Sequence, residues 1–386
     1  MKVKFFIILL LSLLISGCYD YREINDLAIV SAIGIDKNEN EYKVIAQIVN
    51  TQKSQNKNSD FIIYSSDDKS IQTAYNKITN EASKKLYVNH LNIIVISEEV
   101  AKDGISNILD IISRDSDFRA EVPIIISKTT SEELLKTVTS LTTLNSNSIR
   151  DTIINNQKYI GETSEVKFLD FISNYLSRKK DNFLPTFFVN NPTEKSKNFE
   201  DLLNTETETK VEFFSNAVFK NDKLIGYLND EENIGVNLIQ NNAKTTLINT
   251  KCDDENYMSL KITNISSELS YKDKLKFNLE FKGQALLTEL NCDIDLNKEK
   301  EIKKLEKKVN KHLKKIFNKT FNNINTDFNS DIFGFQDLIF KKNPKYYNKI
   351  KETFYEKEIN KIEIKINSNV KITSHGNLMK GLNKNE

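Results

Sequence analysis

Among the residues able to do chemistry, Cys18 has the most distinctive setting. It closes an N-terminal stretch that opens with Lys2 and Lys4, runs through Phe5 to Leu11 and, after Ser12, to Ile15, and ends on Ser16-Gly17. A basic start, a short apolar core and a small-residue end are the three parts of an export signal. The core is too short for a permanent span, which takes about 20 apolar residues. Small residues before the cysteine let a peptidase approach the extended backbone closely. Ile15-Ser16-Gly17-Cys18 therefore reads as a bacterial lipobox. The thiol would take a diacylglyceryl group (S-diacylglycerol, with N-acylation after cleavage), and Cys18 would begin the mature chain. An ordinary secretory signal with a chance cysteine, or a core helix, is the alternative. One acyl chain holds only marginally, but two or three anchor stably, since each buried CH₂ contributes about 0.8 kcal/mol. The expectation is a soluble body at the outer face of a membrane.

Other reactive groups are sparse. Beyond Cys18 there are only Cys252 and Cys292. They could pair in an exported protein, or stay as buried free thiols acting as small hydrophobes. His90, His312 and His375 are far apart in sequence and more consistent with structural or exposed roles than with ligation. There is no glycine-rich phosphate loop, nucleophile elbow, paired-histidine zinc helix or cysteine pair at metal spacing. No catalytic residue, cofactor-binding residue or metal ligand is indicated, so no cofactor is expected. From Lys298 to Lys319 the chain carries ten lysines and three glutamates. This could be a face for anionic lipid headgroups, though a solvated helix face is the plainer reading.

The formal charge of +1 comes from 55 basic and 54 acidic residues, so no global excess argues for nucleic acid. A chain of 386 residues allows two or three domains with ample core. After the short polar connector Tyr19–Glu23, strands are expected over Asp26–Asp36 and Tyr42–Val49, turning at Lys37–Asn40. A polar loop, Gln52–Asp60, and a short strand, Phe61–Tyr64, follow. A helix over about Ser70–Leu86, a strand over Leu91–Ile96, a helix through Ile105–Ile112 and a strand over Val122–Ile126 suggest crossover connections in a mixed sheet. Helices are read at Ser131–Val138 and Glu165–Ser177, with a polar break at Thr142–Ser148 between them. The charged, apolar-poor stretch Asn190–Lys210 reads as a boundary, and Val211–Leu228 as a hairpin around Asn221-Asp222. Farther on, alternating Leu275, Phe277, Leu279 and Phe281 mark a half-buried strand, as do Ile362, Ile364 and Ile366 through Ile372. Between them a long helix over about Asn297–Asn325 carries one apolar stripe from Ile302 to Ile324.

Several stretches together resemble one family, the C subunit of the nutrient germinant receptors of endospore-forming bacteria, the Ger(x)C lipoproteins. They are Cys18-Tyr19-Asp20-Tyr21-Arg22-Glu23-Ile24, Asp26-Leu27-Ala28, Ala32-Ile33-Gly34-Ile35-Asp36, His90-Leu91 and Ala101-Lys102-Asp103-Gly104-Ile105. Arg114 with Phe118-Arg119-Ala120, Asp331-Ile332-Phe333-Gly334-Phe335, Asn343-Pro344 and Gly376 also fit. Tyr19 stands where the family commonly has tryptophan, and Gln336 where a second glycine is usual. The resemblance implies mixed α/β domains without recognised enzymatic activity. It also implies partnership with two integral-membrane subunits, A and B, at the inner membrane of the spore, where the complex senses a nutrient.

The fold class expected is α+β and multi-domain, with mixed sheets that carry packed helices and a C-terminal sheet crossed by one long helix. The expected division is a signal peptide at 1–17, an N-terminal α/β region at 18–190, a linker at 191–210, a C-terminal α+β domain at 211–376 and a tail at 377–386. The leading functional reading is a non-enzymatic, lipid-anchored receptor subunit. Its partners would be the membrane and the A and B subunits, with no nucleic acid. A solute-binding lipoprotein that captures the nutrient small molecule itself is the alternative. A tethered cell-wall enzyme is a third reading, which would need two acids facing each other across a cleft.

Overall fold

A computed structural model describes residues 26–50, 60–138, 144–192 and 209–374. Cys18 with the whole leader and connector, nearly all of the polar loop at 52–60, most of the 191–210 linker, His375, Gly376 and the tail lie outside the described residues. The first layer is a nine-stranded sheet. Strands β1 (Leu27–Asn38) and β2 (Glu41–Val49) form the expected hairpin, and β3 (Phe61–Asp68) pairs antiparallel outside β2. Helix α1 (Ile71–Ala82), strands β4 (Lys85–Tyr87) and β5 (Ile93–Ser97), and helices α2 (Glu98–Asp103) and α3 (Ser106–Arg114) follow. Then come β6 (Ile124–Ser127), α4 (Ser131–Lys136), α5 (Asn145–Tyr159), α6 (Phe168–Ser177), β7 (Phe183–Asn190), β8 (Lys210–Lys220) and β9 (Lys223–Tyr227).

The strand order is β3-β2-β1-β5-β6-β7-β8-β9, with β4 also on β1. The central run β1-β5-β6-β7 is parallel, and antiparallel pairs flank it. Parallel strands joined by crossover helices are covered on both faces, which requires unbroken apolar runs. Ile93–Ser97 and Ile124–Ser127 are such runs, and every residue in them is buried. One face packs on α1, α3 and α6 through Ile78, Ile108 and Phe171. The other packs on α4 and α5 through Leu134, Leu135, Ile149 and Ile153.

Three sequence expectations change here. The helix read to Leu86 stops at Ala82, where Ser83 turns left-handed, and Lys85–Tyr87 instead pairs parallel with β1. The polar break at 142–148 contains the start of α5. Asn145 and Ser146 are buried there, and the Asn145 amide donates to the Leu134 carbonyl, so these polar residues hold the helix down rather than interrupt it. The hairpin at 210–227, expected to open the C-terminal domain, belongs to the first sheet. β8 lies antiparallel along β7 from Phe183↔Val218 to Asn190↔Lys210. Without it β7 would present an open edge of unpaired backbone groups. The charged stretch before it therefore joins two paired strands.

The second layer begins with α7 (Asp230–Ile239), entered through a capping box in which Asn229 and Glu232 each satisfy the other's backbone N–H. Strands β10 (Thr246–Lys251), β11 (Tyr257–Asp273) and β12 (Lys276–Leu290) are antiparallel, and the last strand β13 (Glu363–Ser374) is parallel to β12. Between β12 and β13 come α8 (Glu299–Asn323), a π-helical turn at Ile324–Phe328, α9 (Phe335–Lys342) and α10 (Pro344–Ile350). Helix α8 lies on the sheet with Leu305, Val309, Leu313, Phe317 and Phe321 buried, and Phe317 meets Phe281 at a ring separation of 5.0 Å. This is the α+β layer expected from the alternating strands and the long apolar stripe.

The sequence left the pairing of Cys252 and Cys292 open; the two are joined, with Cα atoms 6.3 Å apart, and both are buried. The bond ties the end of β10 to the segment after β12 across 40 residues of sequence. Closing a loop of that size restricts the unfolded chain most. The double replacement Cys252→Ala, Cys292→Ala is expected to lower unfolding stability by about 2–4 kcal/mol, measured by urea denaturation. An unchanged midpoint would contradict this role.

Candidate functional site

The motifs singled out in the sequence turn out to be joints between elements. Gly34 sits where α4 crosses β1: a Cβ there would lie 2.8 Å from Ser131 Cβ, so only glycine permits the approach. Two residues on, the buried Asp36 carboxylate accepts the Ser131 N–H at 2.6 Å and the Glu132 N–H at 3.0 Å. These are the unsatisfied amides at the start of α4. Burial lifts the Asp36 carboxyl above its usual range, and the two amide bonds pull it back down. Phe118 packs against Tyr75 of α1, and Arg114 forms an exposed i,i+4 pair with Asp110.

The Asp331–Phe335 segment is a second joint. Asp331 is fully buried and accepts the Phe335 N–H at 2.8 Å and the Gln336 N–H at 2.9 Å, which starts α9. Gly334 adopts φ +75°, a left-handed conformation that glycine enters freely. Burial pushes the Asp331 carboxyl well above its usual range, against those amide bonds. Beside it, Asp181 collects donors from three parts of the chain. Its Oδ2 accepts the Asp331 N–H at 2.8 Å, the Ser330 hydroxyl at 3.2 Å and the Tyr355 hydroxyl at 2.9 Å, and its Oδ1 accepts the Asn221 N–H at 3.0 Å. Asp181 lies in the approach to β7 and Asn221 in the β8–β9 turn, while the other three donors belong to the second layer. This one carboxylate fastens the two layers together.

A second set of contacts between the layers consists of asparagines. The Glu162 carbonyl accepts from Asn216 Nδ2 and from Asn237 Nδ2, each at 2.8 Å. Asn156 Oδ1 accepts the Glu162 and Thr163 N–H groups, and Asn216 Nδ2 also reaches Asn233 Oδ1 at 2.8 Å. Asn216, Asn233 and Asn237 are all buried. Interior amides are retained when they are hydrogen-bonded, and such a network fixes one relative placement of the parts it joins.

Beside the Asp181 joint lies a cleft of about 280 Å³. Glu165, Asp170, Asn174, Lys180 and Asp181 line it from the first layer, and Gln240 and Asn242 from the second. The Lys180 ammonium is partly buried, and its one hydrogen bond within the described residues is a long one, 3.5 Å, to Gln240 Oε1. Burial pushes its pKa below the usual lysine value, while the fields of Asp331, Asp337 and Asp170 oppose the shift. Sequence reasoning missed this site. Its amides come from an asparagine-rich composition in which no single asparagine stands out. The signal that could have led toward it was the Asn229–Glu232 capping spacing, which places α7 and hence Gln240.

The other candidate residues do not assemble. His90 stacks near Tyr87 with ring centres 5.6 Å apart, and His312 lies on α8, where burial lowers its pKa. Asp253 has its carboxylate near both Cys252 and Cys292, with the three ligand atoms within 4.8 Å of one another. The disulfide occupies both sulfurs, so this trio offers no thiolate to a metal. On α8 the lysines lie opposite the apolar stripe. Lys303 pairs with Glu299, Lys304 with Glu301 and Lys319 with Glu231, all at the surface. Exposed pairs of this kind contribute little stability.

Comparison with known proteins agrees with this architecture. The family model described as spore germination protein N-terminal domain matches residues 20–189, and the one described as spore germination B3/GerAC like, C-terminal, matches residues 215–376. Spore germination protein KC of Bacillus subtilis (strain 168) is 26% identical over 96% of this chain and 95% of its own length. Putative spore germination protein YfkR of the same organism is 24% identical over 73% of each chain. A crystal structure of the GerBC protein is similar in fold, with a TM-score of 0.56 at 14% identity, over 88% of this chain and 96% of that one. The chain belongs to the GerAC-like family of spore germination proteins.

Proposed function

We propose that this chain is the lipid-anchored, non-catalytic C subunit of a spore nutrient germinant receptor. It would be held by Cys18 at the outer face of the membrane, the inner membrane of the spore, and would act with two integral-membrane subunits to trigger germination. The observation that carries this reading is the coincidence of two parts of one chain. A lipobox-like leader ends at Cys18, and family matches beginning at residue 20 cover almost all that follows. A tether gives such a body its physical advantage. It converts a weak contact with a membrane partner into an effectively intramolecular one, with an effective concentration of the order of millimolar for a short link.

The test is photocrosslinking in native spores from single surface positions on each layer. Adducts to the two membrane subunits are expected to cluster on one continuous face. Absence of adducts from every position, with the protein present in the spore membrane, would defeat the assembly reading.

A further inference from the structure

We propose that the cleft between the two layers is a binding site for a small zwitterionic solute of amino-acid size, with its carboxylate on Lys180 and its ammonium group toward Asp170. The first support is geometric. The cleft has about 280 Å³, just below the usual range for small-molecule sites, about 300–1,000 Å³. That is room for a solute of a few heavy atoms rather than a nucleotide or an oligosaccharide.

The second support is the unfinished bonding of the lining. A lysine ammonium has three N–H donors, and Lys180 places one long bond within the described residues. No carboxylate of a described residue comes within ion-pair distance of it, although Asp170, Asp331 and Asp337 lie near enough for their charges to be felt. A partly buried cation without a charged partner is costly, and a bound carboxylate would remove that cost through charge-assisted hydrogen bonds. Asp170, exposed at the rim on the first turn of α6, makes no hydrogen bond or ion pair within the described residues. Of the other two acids in the lining, Glu165 pairs with Arg150 at 3.1 Å and Asp181 accepts the four donors of the joint, so Asp170 is the acid left to meet a cationic group. The amides of Asn174, Gln240 and Asn242 can donate or accept around the remainder.

The mixture of charges narrows the ligand class. A phosphate or dicarboxylate would call for more than one cation facing the cleft, and the lining has acids at its rim. A metal ion would not sit beside an ammonium. One positive and one free negative group with neutral amides between them match a solute that carries both charges. The lining also comes from both layers, so a bound solute would bridge them beside the Asp181 joint. Binding by the isolated chain needs neither anchor nor companion subunit, so failure here leaves the assembly reading untouched.

The experiment uses the full-length chain in detergent micelles, titrated calorimetrically with glycine, L-serine, L-valine and L-asparagine. L-lactate and ethanolamine, each with one charged end, are the comparison probes. At least one amino acid is expected to saturate below about 10 mM, with both comparison probes about tenfold weaker or worse. Lys180→Met should weaken the best amino acid at least about tenfold, and Lys180→Arg should retain most of the affinity. If Lys180→Met does not fold, acetylation footprinting of the unaltered chain decides, since the bound amino acid should protect Lys180 selectively. No saturation by any of the four, equal binding by Lys180→Met, or no protection of Lys180 would overturn the proposal.

Discussion

Asp181→Ala is expected to cost about 3–5 kcal/mol of unfolding stability, because truncating one side of a buried charged network strands the groups that faced it. Four donors converge on this carboxylate: the Asn221 and Asp331 N–H groups and the Ser330 and Tyr355 hydroxyls. Asp181 and Asp331 are both almost completely buried, so water cannot replace the missing acceptor without opening the joint. The loss should also reach α9, since the residue whose N–H Asp181 holds is the one whose carboxylate starts that helix. Urea denaturation followed by circular dichroism measures the effect. A midpoint within experimental error of the unaltered chain would show that the joint contributes nothing. Asp181→Asn should fall between the two, since it keeps one oxygen acceptor but turns an NH₂ toward donors.

The second large effect concerns function rather than folding. Cys18→Ala is expected to release the chain from the membrane fraction and to abolish nutrient-triggered germination in the native host. The substitution removes the sulfur that the proposed acyl chains require. Among the described residues no helix is long and apolar enough to cross a membrane. A single chain already binds only marginally, so loss of all of them should lower membrane partitioning by more than about a hundredfold. Fractionation with immunoblotting, run beside a germination assay, reads both consequences. Continued membrane retention with normal germination would remove the tether from the mechanism.

Much of the architecture could be read before any coordinates. The apolar runs at Ile93–Ser97 and Ile124–Ser127, the stripe on α8 and the alternation in β12 and β13 each obey a period that only one kind of element satisfies. What stayed hidden depends on tertiary contact. Lys85–Tyr87 is too short to signal a strand and exists because β1 offers it an edge. Asn145 and Ser146 look like loop residues but are interior, because Asn145 bonds to the backbone of α4. The strands β7 and β8 are separated by a charged stretch that composition alone marks as a boundary, and their pairing is non-local. Of the candidate site, the family motifs were visible as letters. Their task of capping α4 and α9 became clear only when Asp36 and Asp331 were seen to accept backbone N–H groups. Lys180 carried no mark in the sequence, since its distinction is the lack of an ion-pair partner among the described residues.

The parallel pairing of β13 with β12 has a bearing on biogenesis. Strand β13 is the last element described, and 72 positions of chain, from Asn291 through Ile362, separate it from its neighbour β12. A polypeptide emerging amino end first can close its first sheet once Tyr227 is out, but the second stays short of a strand until Glu363–Ser374 has followed. During that interval the long strand β12 shows a bare flank, open to any extended segment nearby. A nonsense codon shortly before Glu363 should therefore yield a product prone to aggregation instead of a slightly shortened one, and the nascent chain should depend on chaperones at this late stage.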